Sequence, residues 1–181
     1  KGVESNDVKI LEEYLSNIKL DSYLKVRTSM ILKILLYSGA RRGELEALKT
    51  KDFIEDGKLF IINTIGKGNK ERILYTPIKY IQKELEFYKK HNIKHIAATK
   101  TGKVMDGSHI YRFLNGIYKK IGIKYSGAHI LRHTFAKSML AKDVNIVTVQ
   151  ELLGHASIQT TMIYANPNQR EVQKAYLDTL R

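Results

Sequence analysis

The sequence predicts a mainly helical α+β domain of 181 residues with one small three-stranded antiparallel sheet. Three observations carry that prediction. Apolar residues recur at helical spacing along most of the chain. Between residues 53 and 76, three short apolar runs are separated by turn signals. No repeat, low-complexity stretch or long linker divides the chain, and a hydrophobic content of 43% is enough for one core.

The elements follow in order. Asn6 or Asp7 can cap a first helix carrying Ile10, Leu11, Tyr14, Leu15 and Ile18 on one face. A second helix runs from about Ser22 to Tyr37, apolar at Met30, Ile31, Ile34, Leu35 and Leu36, and Ser38-Gly39 ends it. A short helix from about Arg42 to Leu48 comes next. Phe53-Ile54, Leu59 to Thr64 and Arg72 to Thr76 read as strands. Asp56-Gly57 turns between the first two, and Gly66-Lys67-Gly68-Asn69 between the last two. Pro77 starts a helix to about Lys90. Further helices are expected over Ser108–Ile121, Ala128–Ala141, Val144–Leu153, Ile158–Tyr164 and Gln169–Leu180. The whole of 1–181 is expected to form one domain, with residues 1–20 as linker and first helix and 166–181 as a C-terminal helix.

Composition narrows the function. Lys and Arg number 31 against 18 Asp and Glu, a net charge of +13, which suits a polyanionic partner such as a phosphate backbone. With no cysteine, disulfides, thiol catalysis and Cys-based zinc sites are excluded. No apolar run approaches the ~20 residues of a membrane span. The opening Lys1-Gly2-Val3-Glu4-Ser5-Asn6-Asp7 is polar and unlike a signal peptide. A reducing, cytoplasmic setting is expected. The missing initial Met points to a piece of a longer protein.

Each candidate side chain has a bland explanation when taken alone. Arg41, at a helix start, can aim its fork at a phosphate, but surface Arg–Glu pairs such as Arg41 and Glu44 are common. Lys67 tops a hairpin turn, where lysines are usually solvated. His129, Arg132 and His133 share a helical face. His-x3-His could ligate metal, yet Ile130 stands where a zincin helix needs Glu, so no metal and no cofactor are expected. His133 could equally be a core histidine. His155 follows the helix-ending Gly154. Tyr164 lies 164 − 155 = 9 residues further on, where an amphipathic packing role would be ordinary.

Together these groups are what metal-free phosphoryl transfer to a tyrosine needs. Arginine forks can neutralise charge gained at the transition state. A tyrosine of ordinary pKa ~10 needs a base or a positive site to ionise. A lysine can protonate a departing sugar oxygen.

In order along the chain, Ser38-Gly39-Ala40-Arg41-Arg42-Gly43-Glu44-Leu45, Ile65-Gly66-Lys67-Gly68-Asn69-Lys70-Glu71-Arg72, His129-Ile130-Leu131-Arg132-His133-Thr134-Phe135-Ala136, Leu152-Leu153-Gly154-His155 and Thr160-Thr161-Met162-Ile163-Tyr164 resemble the motifs of the tyrosine recombinase (phage integrase, Xer-like) family. The resemblance implies that family's DNA breaking-rejoining catalytic-domain fold. It implies that Arg41 and Arg132 grip the scissile phosphate, Lys67 protonates the leaving 5′-oxygen, and His129 moves a proton or holds the phosphate. His155 would donate a hydrogen bond to the phosphate. Tyr164 would attack to leave a 3′-phosphotyrosyl link, with Glu44 and His133 in support. The implied partners are double-stranded DNA and other protomers, in a tetramer on DNA for the full-length protein, in the cytoplasm at the nucleoid. A type IB topoisomerase-like activity and a non-catalytic DNA-binding regulator of the same fold are the alternatives. Ala40 and Gly43 stand where Leu and Ser are more usual, and Gly127-Ala128 where Pro often precedes the histidine. The family's N-terminal clamp domain has no counterpart in these residues. The C-terminal helix, with Val172, Ala175, Tyr176 and Leu180 on one stripe, is expected to pack on its own core or on a neighbouring protomer.

Overall fold

The computed structural model describes residues 5–154 and 168–180. The architecture is helical around a three-stranded sheet, as the sequence predicts. Helix α1 spans Ser5–Asn17, α2 Tyr23–Ser38 and α3 Arg42–Ala47. Strands β1 (Phe53–Asp56), β2 (Leu59–Ile65) and β3 (Glu71–Pro77) follow, then α4 (Ile78–Lys90), α5 (Gly107–Ile121), α6 (His129–Ala141), α7 (Ile146–Leu153) and α8 (Asn168–Asp178). The expected helix over Ile158–Tyr164 lies outside the described residues.

Helix α2 is the central post. It is buried on most of its faces, and Val26, Met30, Ile31, Leu32, Ile34 and Leu35 are essentially inaccessible. A helix of that kind must be surrounded. Helices α4 and α6 pack on it. The single charge that α4 buries there, Glu84, accepts hydrogen bonds of 2.6 Å from both Ser29 Oγ and Lys33 Nζ on α2. Gly39 ends α2 in the left-handed region, φ +74. A Cβ at Gly39 would stand 2.7 Å from Cδ2 of Phe135 on α6, so glycine is required by conformation and by space.

The sheet runs β1-β2-β3, antiparallel throughout. In the β2–β3 pairing, Phe60 faces Thr76, Ile62 faces Leu74 and Thr64 faces Arg72. Alternation puts these three pairs on one face. Phe60, Ile62 and Leu74 join the main core with α2. Leu59 and Tyr75, on the opposite face, join a second cluster with Phe135 of α6, Val149, Leu152 and Leu153 of α7, and Val172 and Tyr176 of α8. The small sheet is thus covered on both sides.

Several boundaries differ from expectation for local reasons. Ser5–Asn17 places Asn6 and Asp7 inside α1. Pro77 ends β3, where it pairs with Leu59, and caps α4 rather than lying inside it. Helix α7 starts at Ile146, two residues later than expected: Val144 is spent on the core, and the Asn145 side chain caps the helix by accepting from Val147 N–H at 2.8 Å. Asp106 caps α5 in the same way, accepting from His109 N–H.

Helix α8 packs on its own chain. Tyr176 is 2% exposed, its hydroxyl donates to the Tyr37 carbonyl, and its ring lies 6.2 Å from that of Tyr75 and 6.3 Å from that of Phe135. Truncating so large a buried ring leaves a cavity. Tyr176→Ala is therefore expected to lower the free energy of unfolding by about 3–5 kcal/mol in a urea titration. Unchanged stability would mean that α8 does not rest on this core in solution.

Candidate active site

The site is built where the C-terminal ends of α2 and α7 meet the N-terminal ends of α3 and α6. Helix ends present unsatisfied backbone groups, and here buried arginines answer them. Arg132, on the first turn of α6, donates from Nη1 to the Gly39 carbonyl at 2.6 Å and from Nη2 to the Leu153 carbonyl at 2.5 Å. Arg72, at the start of β3, donates to the Leu152 carbonyl from Nη1 and to the Gly39 carbonyl from Nη2 at 3.2 Å. The carbonyl dipoles at both helix ends favour the cations.

Glu44 completes the arrangement. Its carboxylate takes a two-pronged bond from Arg72, Nε to Oε2 at 2.6 Å and Nη2 to Oε1 at 2.9 Å. Oε1 also accepts from the Arg41 backbone N–H at 2.8 Å, holding the start of α3. Glu44 is 2% exposed and Arg72 5%. Burial alone raises the Glu44 pKa, but the bonds and charge of Arg72, with the amide and charge of Arg41, outweigh it and hold the carboxyl below its ordinary range. Arg132 is pushed down to about 9 by burial, then by the charges of Arg72 and Arg41, with Glu44 opposing. It still carries its proton at neutral pH.

Above these buried groups opens a cleft of about 560 Å³. Its lining includes Arg41, His129 and Arg132, three of the residues predicted from sequence, with Arg42, Tyr111 and Ser126 beside them. Arg41 and His129 are exposed, while Arg132 is 9% exposed and reaches the cleft from beneath. The turn before α6 is pinned from α5: Asn115 Oδ1 accepts from Gly127 N–H at 2.9 Å, and the Tyr118 hydroxyl donates to the Gly127 carbonyl at 2.8 Å. These bonds fix the entry to α6 without a proline.

His129 and His133 lie one turn apart with ring nitrogens 2.7 Å from each other. Such a pair shares one proton in its hydrogen bond. Burial, His129 and Arg132 all depress the His133 pKa. Among the described residues, no three His, Cys, Asp or Glu side chains cluster in a metal-binding arrangement.

Lys67 is exposed on a single 3-10 turn, Lys67–Asn69, between β2 and β3. That turn abuts α3, since a Cβ on Gly66 would stand 3.4 Å from Glu44 Cγ. His155 and Tyr164 lie outside the described residues. The chain reaches Gly154 hard against the site. A Cβ there would stand 2.4 Å from Arg72 Cδ, and φ is +75.

Sequence reasoning missed Arg72, Tyr111 and Arg42. For Arg72 a signal existed: it is in phase with Leu74 and Thr76 on β3, so it had to point inward with them. Arg42 stands next to Arg41 at the start of α3, and that adjacency was its signal; Tyr111 left none, because only the fold brings α5 to the cleft. Chemically, the guanidinium groups of Arg41, Arg42 and Arg132 and an imidazole around a cleft over a neutralised Glu–Arg pair make an anion-binding site with a proton-transferring group at its rim.

Because Glu44 is ionised more readily folded than unfolded, it adds stability above its unfolded pKa. That contribution is lost as pH falls through the folded pKa. Glu44→Ala, which leaves Arg72 buried without its partner, is expected to cost about 3–5 kcal/mol at pH 7 in urea unfolding. The gap between wild type and Glu44→Gln should narrow in acid; a gap that stays constant contradicts the assignment.

The phage integrase family model matches residues 3–171. The tyrosine recombinase XerH of Campylobacter jejuni is 33% identical over 91% of this chain and 51% of its own length. The tyrosine recombinase XerA of Saccharolobus solfataricus is 32% identical over 98% of this chain and 59% of its own length. The crystal structure of XerH bound to a palindromic difH substrate, in a post-cleavage complex, superposes with a TM-score of 0.75 at 26% identity, covering 96% of this chain and 51% of that one. The chain therefore spans about half the length of the curated relatives it matches.

Proposed function

The chain belongs to the phage integrase family, and from that premise we propose that it is the catalytic part of a site-specific tyrosine recombinase that cuts and rejoins DNA through a 3′-phosphotyrosyl intermediate. The observation that carries this reading is that Arg41 shares one cleft with His129 and Arg132, which lie 88 and 91 residues further along the chain. A phosphodiester there would meet two guanidinium groups. Arg132 spends two of its N–H groups on Gly39 and Leu153 carbonyls, which leaves others for the phosphate oxygens.

In the proposed reaction the Tyr164 hydroxyl oxygen attacks phosphorus, the bond to the 5′-oxygen breaks, and the tyrosyl phosphodiester forms. One phosphodiester bond is exchanged for another, so the linkage keeps the energy needed for rejoining. Lys67 gives its proton to the departing 5′-oxygen. His129 takes or shares the tyrosine proton, with His133 holding its ring. His155 donates to a phosphate oxygen. Arg41 and Arg132 stabilise the charge that grows on the non-bridging oxygens. No cofactor enters this scheme.

The partners we propose are double-stranded DNA, which the excess of basic residues favours, and further protomers, in a tetramer on DNA in the full-length protein. The proposed place of action is the nucleoid, in the cytoplasm. Among the described residues no helix is long and apolar enough to cross a membrane.

The test is a nicked duplex that traps the covalent intermediate. Its sequence is first enriched from a random pool on the wild-type chain. A protein–DNA band that resists denaturant is expected with wild type in the presence of EDTA and should disappear with Tyr164→Phe. A band that survives Tyr164→Phe overturns the nucleophile assignment; strong inhibition by EDTA overturns the metal-free scheme. Supercoil relaxation without exchange between two sites would place the activity with the topoisomerases instead.

A further inference from the structure

Arg72 has no role in the scheme above, yet it makes four hydrogen bonds in the floor of the cleft: two to Glu44, one to the Leu152 carbonyl and one to the Gly39 carbonyl. It is 5% exposed and does not line the cleft. We infer that Arg72 is a positioning residue for strand cleavage, which sets the spacing of Arg41 and Arg132 from below without touching the DNA.

Two routes lead from it to the cleft. The first runs through Glu44, whose Oε1 receives both Arg72 Nη2 and the Arg41 backbone N–H, so the place where α3 begins depends on where Arg72 holds the carboxylate. The second runs through main-chain oxygens. The Gly39 carbonyl accepts from both Arg72 and Arg132, and the adjacent carbonyls of Leu152 and Leu153 are taken one by each arginine. Any shift of Arg72 therefore moves an atom that Arg132 is also bonded to.

Charge and shape both require this residue. Glu44 cancels the Arg72 charge, so Arg41 and Arg132 are left to neutralise an incoming anion. Without Arg72 the buried Glu44 carboxylate would turn its charge on Arg132 and compete with the phosphate. A lysine could cancel that charge, but one ammonium cannot span Glu44, Gly39 and Leu152 as a planar fork does. The glycine at 154 adds independent support. A side chain there would overlap the Arg72 stem, at 2.4 Å from Cδ, so the exit from α7 is shaped around this arginine.

This inference rests on the recombinase reading, and the experiment separates their failures. Arg72→Lys and the gentler Glu44→Gln are compared with wild type on the enriched nicked duplex. Dissociation constants and single-turnover rates of adduct formation at saturating DNA are both measured. A misplacement on the order of 1 Å at a reacting group can cost about 100-fold in rate. The expected signature is a rate lower by tenfold or more in Arg72→Lys, a smaller loss in Glu44→Gln, and dissociation constants within about threefold of wild type. A second substrate carries sulfur in place of the leaving 5′-oxygen, which departs without an acid. It should restore Lys67→Ala but leave Arg72→Lys slow. Rates within twofold of wild type in both variants overturn the inference while the recombinase reading stands. So does rescue of Arg72→Lys by the sulfur substrate, which would assign Arg72 to proton delivery, or a loss of binding that accounts for the whole loss of rate. No adduct from wild type overturns the recombinase reading and the inference with it.

Discussion

The Glu44–Arg72 pair is the contact on which the rest of the site depends. It joins the start of α3 to the start of β3, and through main-chain carbonyls it reaches the ends of α2 and α7. A buried ion pair is a poor source of net stability, because desolvating two charges offsets most of their attraction. Its value lies in direction. A carboxylate and a guanidinium meet in one plane with fixed bond angles, so four elements that could pack in several ways are registered in one.

The hydrophobic framework makes that registration possible. Helix α2 is buried along most of its length, and the two clusters on either face of the sheet keep β2 and β3 from sliding. A slip of one residue in β3 would carry Arg72 to the other face, toward the apolar cluster of Phe135 and Tyr176 and away from Glu44. The apolar alternation of Leu74 and Thr76 with Ile73 and Tyr75 thus decides where a charged residue two positions away must go. The same economy governs the glycines at 39 and 154. Both end a helix in the left-handed region, and both sit where a neighbour has taken the space of a side chain.

Much of this was legible in the sequence. The strands and their turns could be read because β-rich runs and glycine turn signals coincide, and α2 because its apolar positions exceed what one face requires. Arg41, His129 and Arg132 were legible as a set, although each alone was unremarkable, since only their order along the chain links them. What escaped was the polar floor of the site. Arg72 was read only as the first residue of the third strand, because its partners, Glu44, Gly39 and Leu152, are 28, 33 and 80 residues away. All four of its bonds go to atoms that the local sequence does not reveal, two of them backbone oxygens. Tyr111 was hidden for a similar reason, as α5 meets the cleft only after the chain has folded. The late start of α7 was hidden by Val144, whose apolar character reads as helix and is used as core.

The carbonyl anchors of the two buried arginines have an evolutionary side. Gly39, Leu152 and Leu153 hold Arg72 and Arg132 by their main-chain oxygens, which every amino acid carries. At 152 and 153 the side chains answer to the core, so drift among aliphatic residues there can retune packing while the anchors persist. A site held this way tolerates substitution at 152 and 153 and is exposed to it at the arginines, at Glu44 and at the glycines of 39 and 154. Lineages can therefore remodel the surroundings of such a site, and with them its preferences, without first losing the means to hold its two cations in place.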